Sequence, residues 1–268
     1  MATAVAIILM CTPRLATGAG DRGPLAVRFT EGSVHGFLDL HGESGALLAH
    51  GELTQSSASG GIDSRMTFRF RDGSMFEETV LFTQHGSFAM QQYHLVQKGP
   101  AFEHDLDATL ARTGQYTVTS VSHSDGKRSE DSGHLDLPGD VANGLVVLVA
   151  KNLRVGDSGL VHMVAFTPAP QLIGLRLAPA GADAITIGDR AEQANRLVVS
   201  PQVGGVKGVF ARLLGKLPPD SHVWILADRV PAFVRFEGPM YQGPVWRMTL
   251  AAPHWPEPPA TASRVPGK

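Results

Sequence analysis

The chain has one cysteine, Cys11, no cluster of basic residues, and none of the short motifs that announce a common catalytic centre. Each absence excludes something. A single thiol builds neither an intrachain disulfide framework nor a cysteine metal site. Charges nearly balance, at a net −2 over 268 residues, so no field is available to gather nucleic acid. There is no Gly-x-Ser-x-Gly elbow and no His-Glu-x-x-His zinc helix. Gly208 and Gly215-Lys216 do not form a phosphate loop, because Phe210 stands where the first glycine is needed and Leu217 replaces the Ser or Thr. The residues call for no cofactor and no metal.

The apolar run Ala2–Cys11 is ten residues long, about half of the roughly 20 that a spanning helix requires. Pro13 and the small residues Ala16-Thr17-Gly18-Ala19-Gly20 follow it. This order is that of the apolar core and cleavage site of a secretory signal, expected over residues 1–19. No Lys or Arg precedes the run, which leaves open a frayed apolar N-terminus or a start placed too far downstream. Export would remove Cys11 and leave a chain without thiols, which points to a bacterial envelope, periplasmic or secreted.

What the sequence has in plenty is glycine (30) and proline (18), suited to many turns between short strands. The clearest stretch is Ile62–Phe82. Ile62, Ser64, Met66, Phe68 and Phe70 share one face and Asp63, Arg65, Thr67, Arg69 and Arg71 the other, the period of a strand with a dry and a wet side. Asp72-Gly73-Ser74 closes a hairpin into Met75–Thr83. A three-residue loop there pairs Phe70 with Phe76, Met66 with Val80, Arg69 with Glu77 and Thr67 with Thr79.

Further strands are expected at Leu25–Phe29, Val34–Leu40, Ala46–Gln55, Ser87–Gln97, Phe102–Leu110, Gln115–Val121, Leu160–Phe166, Leu172–Pro179 and Ala184–Asp189. Others follow around Arg196–Val203 and at His222–Ala227, Ala232–Phe236 and Val245–Leu250. Their short connections predict antiparallel neighbours. Asp140 as N-cap predicts a helix over Val141–Leu153, against a buried-strand reading favoured by Gly144 and Val146-Val147. Gly205–Leu214 reads as a second short helix. The expected fold is mainly β: a large curved antiparallel sheet, an open or half barrel, with two short helices on its concave face. It forms one domain over residues 20–252, followed by a Pro-rich tail over 253–268.

Two groups of residues bear on chemistry. Gly156-Asp157-Ser158-Gly159, with His50 and Asp105 or Asp107 earlier in the chain, has the order of a trypsin-like protease. Leu160 replaces the glycine that shapes the oxyanion hole, and a polar turn explains the four residues as well. Glu103, Asp105 and Asp107 share a strand face and read as a solvated acidic face rather than a calcium site. Glu78 stands apart, because it falls on the dry face between Phe76 and Val80, where a carboxylate must be paired or neutral. His94, placed on the face of Phe88 and Met90, is the expected partner, and the pair would be a candidate acid–base site. A strand-end Glu reaching solvent, or a structural polar pair, is the competing reading.

Phe70-Arg71-Asp72-Gly73-Ser74, Glu77-Glu78-Thr79, Gln97-Lys98-Gly99-Pro100-x-Phe102 and Leu137-Pro138-Gly139-Asp140-Val141-Ala142-Asn143-Gly144-Leu145 resemble a family of uncharacterised secreted bacterial β-sheet proteins. The resemblance covers most of the chain after the signal and implies a shared fold and export, but no activity or catalytic residues. Val223-Trp224-Ile225-Leu226 and Pro231-Ala232-Phe233-Val234 are similar to the last strands of half-barrel lipoprotein-localisation carriers, which implies a curved sheet that holds acyl chains.

The function expected first is a periplasmic binding or carrier protein for an apolar or lipid-like small molecule. Met66, Phe68, Phe70, Phe76, Val80, Phe82, Phe88 and Met90 would line its concave face. The same residues could instead pack as a dry core. An envelope interaction module without a ligand, and an enzyme using Glu78 and His94, are the other two classes.

Overall fold

The computed structural model describes residues 26–166, 169–187, 190–202, 219–226, 230–240 and 243–251. The signal segment expected over residues 1–19, the helix expected at Gly205–Leu214 and the Pro-rich tail lie outside them. No helix among the described residues is long and apolar enough to cross a membrane.

Fourteen antiparallel strands form one open sheet. The first eight are β1 (Val34–His41), β2 (Leu47–Ala58), β3 (Gly61–Phe70), β4 (Met75–His85), β5 (Ser87–Lys98), β6 (His104–Ala111), β7 (Gln115–Ser122) and β8 (Arg128–His134). After the helix α1 (Val146–Asn152) come β9 (Gly159–Ala165), β10 (Gln171–Ile187), β11 (Arg190–Gln202), β12 (Ser221–Leu226), β13 (Ala232–Pro239) and β14 (Val245–Leu250). Two meanders, β1–β8 and β9–β14, join where β1 pairs with β14, leaving β8 and β9 as the edges.

The sheet is strongly curved. Ten strand spacings separate β5 from β9 in the sheet order, about 48 Å if the sheet were flat. Yet Tyr93 on β5 stacks on Phe166, just beyond β9, with ring centroids 6.1 Å apart. The segment between β8 and β9 bridges the same gap. The Asn143 amide donates to the Val164 carbonyl (2.9 Å) and accepts from the Val164 N–H (2.8 Å), as a strand neighbour would. Next to it, Gly144 lies so close to β4 that a Cβ there would sit 3.0 Å from Val80.

Gly144 also explains where α1 begins. Its φ of 70° is left-handed, so the chain turns there instead of running helically from Asp140. Asp140 is not the N-cap; its carboxylate accepts from His162 Nδ1 at 2.8 Å, and helix starts only at Val146. Beyond the helix, a polar clamp fixes its C-terminal end to the segment before β1. Lys151 donates to Glu31 at 2.6 Å, the Asn152 side chain accepts from the Arg28 and Phe29 N–H groups, and Gln84 holds the Glu31 backbone.

Three further expectations change. The β3–β4 hairpin keeps its predicted faces but slides by two residues, so that Phe68 opposes Phe76 and Thr67 opposes Glu77. The loop does have three residues, but they are Arg71-Asp72-Gly73, closed by Phe70 N–H to the Ser74 carbonyl at 2.9 Å. Asp72 Oδ1 accepts from the Ser74 N–H and Gly73 takes a φ of 88°, which fits a turn ending in a left-handed residue. The segment Leu172–Pro179 and the described part of Ala184–Asp189, as far as Ile187, belong to a single strand with a bulge after Pro179. At Leu25–Phe29 the described residues form only an isolated bridge, Ala26 to Ser87.

Candidate functional site

The dry face of β3, β4 and β5 is the concave centre of the molecule. Phe68, Phe70, Phe76, Val80, Phe82, Phe88 and Met90 are buried there, Phe68, Phe82 and Met90 completely, and Met66 packs against them partly buried. Val141, Leu145 and Val149, from the segment that crosses this face, belong to the same apolar cluster. All eight residues expected to line the concave face therefore fall in one cluster, under a covering segment.

Glu78 sits in this cluster, opposite Met66 on β3 and Leu95 on β5, with Phe76 and Val80 beside it on its own strand. Its hydrogen-bond partner is the Tyr93 hydroxyl, which donates to Oε1 at 2.8 Å. Part of the residue's surface stays accessible, but burial pushes the carboxyl up from its ordinary value. The Tyr93 hydrogen bond pulls the other way without cancelling that effect. The site thus presents a carboxyl biased toward its neutral, hydrogen-bond-donating form in apolar surroundings.

The structure does not bring His94 to Glu78. His94 lies on the opposite face, where its Nε2 meets Asp107 Oδ1 at 2.9 Å near solvent. The reason is a bulge. Leu81 pairs with Gln92 but Phe82 pairs with Met90, so Gln91 is extra and the alternation of β5 shifts by one. Phe88 and Met90 face inward before the bulge; Tyr93, Leu95 and Gln97 face inward after it. Tyr93 takes the place assigned to His94, and Gln97 becomes a buried polar side chain on this face, 4 % exposed. Neither follows from simple alternation, and no glycine marks the bulge.

The protease-like constellation does not assemble. His50 is exposed and pairs with Asp39, while Asp105 and Asp107 pair with His123 and His94. Gly156 and Asp157 end a turn closed by the Asp157 N–H donating to the Arg154 carbonyl at 3.0 Å, and Gly159 begins β9. No group of three or more His, Cys, Asp or Glu side chains among the described residues is arranged to hold a metal. No protein-family model, curated protein or solved structure matches the chain.

Proposed function

We propose that this is an exported binding or carrier protein for an apolar or lipid-like molecule, with the concave face of β3–β5 as its binding surface. The observation that carries the reading is the hydrogen-bonded pair of Glu78 and Tyr93 within an otherwise apolar cluster. A carboxyl in such surroundings is costly to maintain, and a core built only for stability has no use for it. An amphipathic ligand does, because one polar anchor among aromatic and aliphatic walls fixes its orientation. Met66 and Met90, flexible and polarizable, suit chains of varied shape.

Access to the face runs past the 141–152 segment, which is joined to the sheet by separable polar contacts: Asn143 with Val164, Asp140 with His162, and Lys151 with Glu31. Release of this segment would break the Val141–His162 bridge and its backbone hydrogen bonds, but no pairing between the fourteen strands, and would expose Val80, Tyr93 and their neighbours. The apolar run and small residues that read as an export signal over residues 1–19 support a periplasmic or secreted location. The resemblance to secreted β-sheet proteins and half-barrel carriers agrees with that placement.

The test is uptake of a neutral apolar fluorophore, N-phenyl-1-naphthylamine, by the purified chain. Saturable binding that is weakened by Phe68→Ala and by Phe82→Ala supports the reading. Absence of binding in the folded protein would leave the envelope interaction module as the better account.

A further inference from the structure

Gln97 is a side chain on the concave face whose chemistry is left unmet. It is 4 % exposed, and its Nε2 is buried without a hydrogen-bond partner. A buried N–H without an acceptor is costly, and this one stands beside a second polar group. Glu78 stands opposite Leu95, so Gln97, two residues further along β5, is its diagonal neighbour on the same face. Such neighbours lie about 7–8 Å apart, a span that one small polar head group can bridge. Phe76 lies directly opposite Gln97 and Leu106 faces it from β6, while His104, whose buried Nδ1 also lacks a partner, stands two residues before Leu106 on the same face.

We propose that Gln97 and Glu78 form a head-group subsite for a ligand whose apolar chain ends in a hydrogen-bond-accepting oxygen, a carbonyl or carboxyl, and that this subsite rejects an amine. The proposal rests on the binding reading above. The unpartnered atom of Gln97 is Nε2, which can only donate. Glu78 already receives the Tyr93 hydroxyl on Oε1, and burial favours its protonated form, which leaves the other oxygen as a donor. Two donors on one side of an apolar face select an acceptor between them, whereas an ammonium would bring further donors against the amide N–H.

The experiment is displacement of N-phenyl-1-naphthylamine from the full chain by methyl dodecanoate, dodecanoic acid and dodecylamine, compounds that share a chain length and differ in the head. The ester and the acid should each displace the fluorophore at least tenfold better than the amine. In Gln97→Leu and in Glu78→Leu that ratio should collapse to within about threefold. Gln97→Met serves if Gln97→Leu does not fold. Equal or better binding of the amine by the native chain, or an unchanged ratio in the Gln97 variants, would overturn the subsite while leaving the apolar binding face standing. Failure of the folded chain to take up the fluorophore or any of the three compounds would overturn both.

Discussion

Tyr93 reaches Glu78 because Gln91 is an extra residue in β5. Without that bulge the hydroxyl would point to solvent and His94 would face the carboxyl. The bulge thus decides which chemistry the concave face has: a phenol that holds a carboxyl in place, with no imidazole to exchange a proton with it.

Removal of the phenol leaves the carboxyl without its donor. Tyr93→Phe should destabilise the fold by about 1–3 kcal/mol, the cost of a buried polar group left unpaired. It should also raise the Glu78 pKa further, since the hydrogen bond is the influence that lowers it. Urea denaturation and NMR titration of the Glu78 carboxyl read the two effects. Unchanged stability with an unchanged titration would mean that the hydrogen bond contributes nothing.

The pH dependence of stability follows from the same group. Its folded pKa lies above the ordinary value of 4.5, so above that pH the unfolded chain gives up a proton that the folded chain retains. Stability from this group is therefore fully present below the unfolded pKa, and is lost as pH rises through the raised folded pKa. Glu78→Gln should remove this loss. Denaturation curves at about pH 5 and about pH 8 should show a larger drop for the native chain than for the variant; parallel drops would contradict the burial of this carboxyl.

Asn143 fastens the covering segment by pairing with both backbone groups of Val164. Asn143→Ala strands a buried N–H and a buried carbonyl, and should cost about 2–4 kcal/mol. Hydrogen exchange should speed up at Val164 and along 141–152 before it does in β3 and β4. Uniform acceleration throughout the sheet would show that the segment does not open separately.

Lys151 and Glu31 form an ion pair with side chains only 15 % and 6 % exposed. Breaking it from one side leaves a buried charge, so Lys151→Met and Glu31→Met should each cost about 3–5 kcal/mol, and the double variant much less than their sum. A double-mutant cycle by chemical denaturation measures this coupling. Additive costs would place both groups effectively in water.

Much of the fold is legible in the sequence because burial on one face writes an alternating pattern. The strands from Val34 to Val121 and the faces of the β3–β4 hairpin follow from it. The slip of two residues in that hairpin preserved which side chains face inward, so alternation alone could not detect it; the Asp72 and Gly73 turn geometry fixes it. Strand β8 went unread because all seven of its residues are exposed, and a polar edge has no dry face to leave a pattern. Asp140 resembled a helix cap, but the left-handed turn at Gly144 intervenes. The candidate site was half legible: Glu78 followed from alternation, whereas Tyr93 and Gln97 depend on a bulge that no glycine or proline marks.

The central claim is that the concave face binds an apolar molecule, and native mass spectrometry of the protein purified from its own source tests it most directly. The account predicts a retained adduct of a few hundred daltons (on the order of one lipid-like ligand), displaced by methyl dodecanoate and lost in Phe68→Ala. The bare polypeptide mass in every charge state, from protein that also fails to take up N-phenyl-1-naphthylamine, would contradict it.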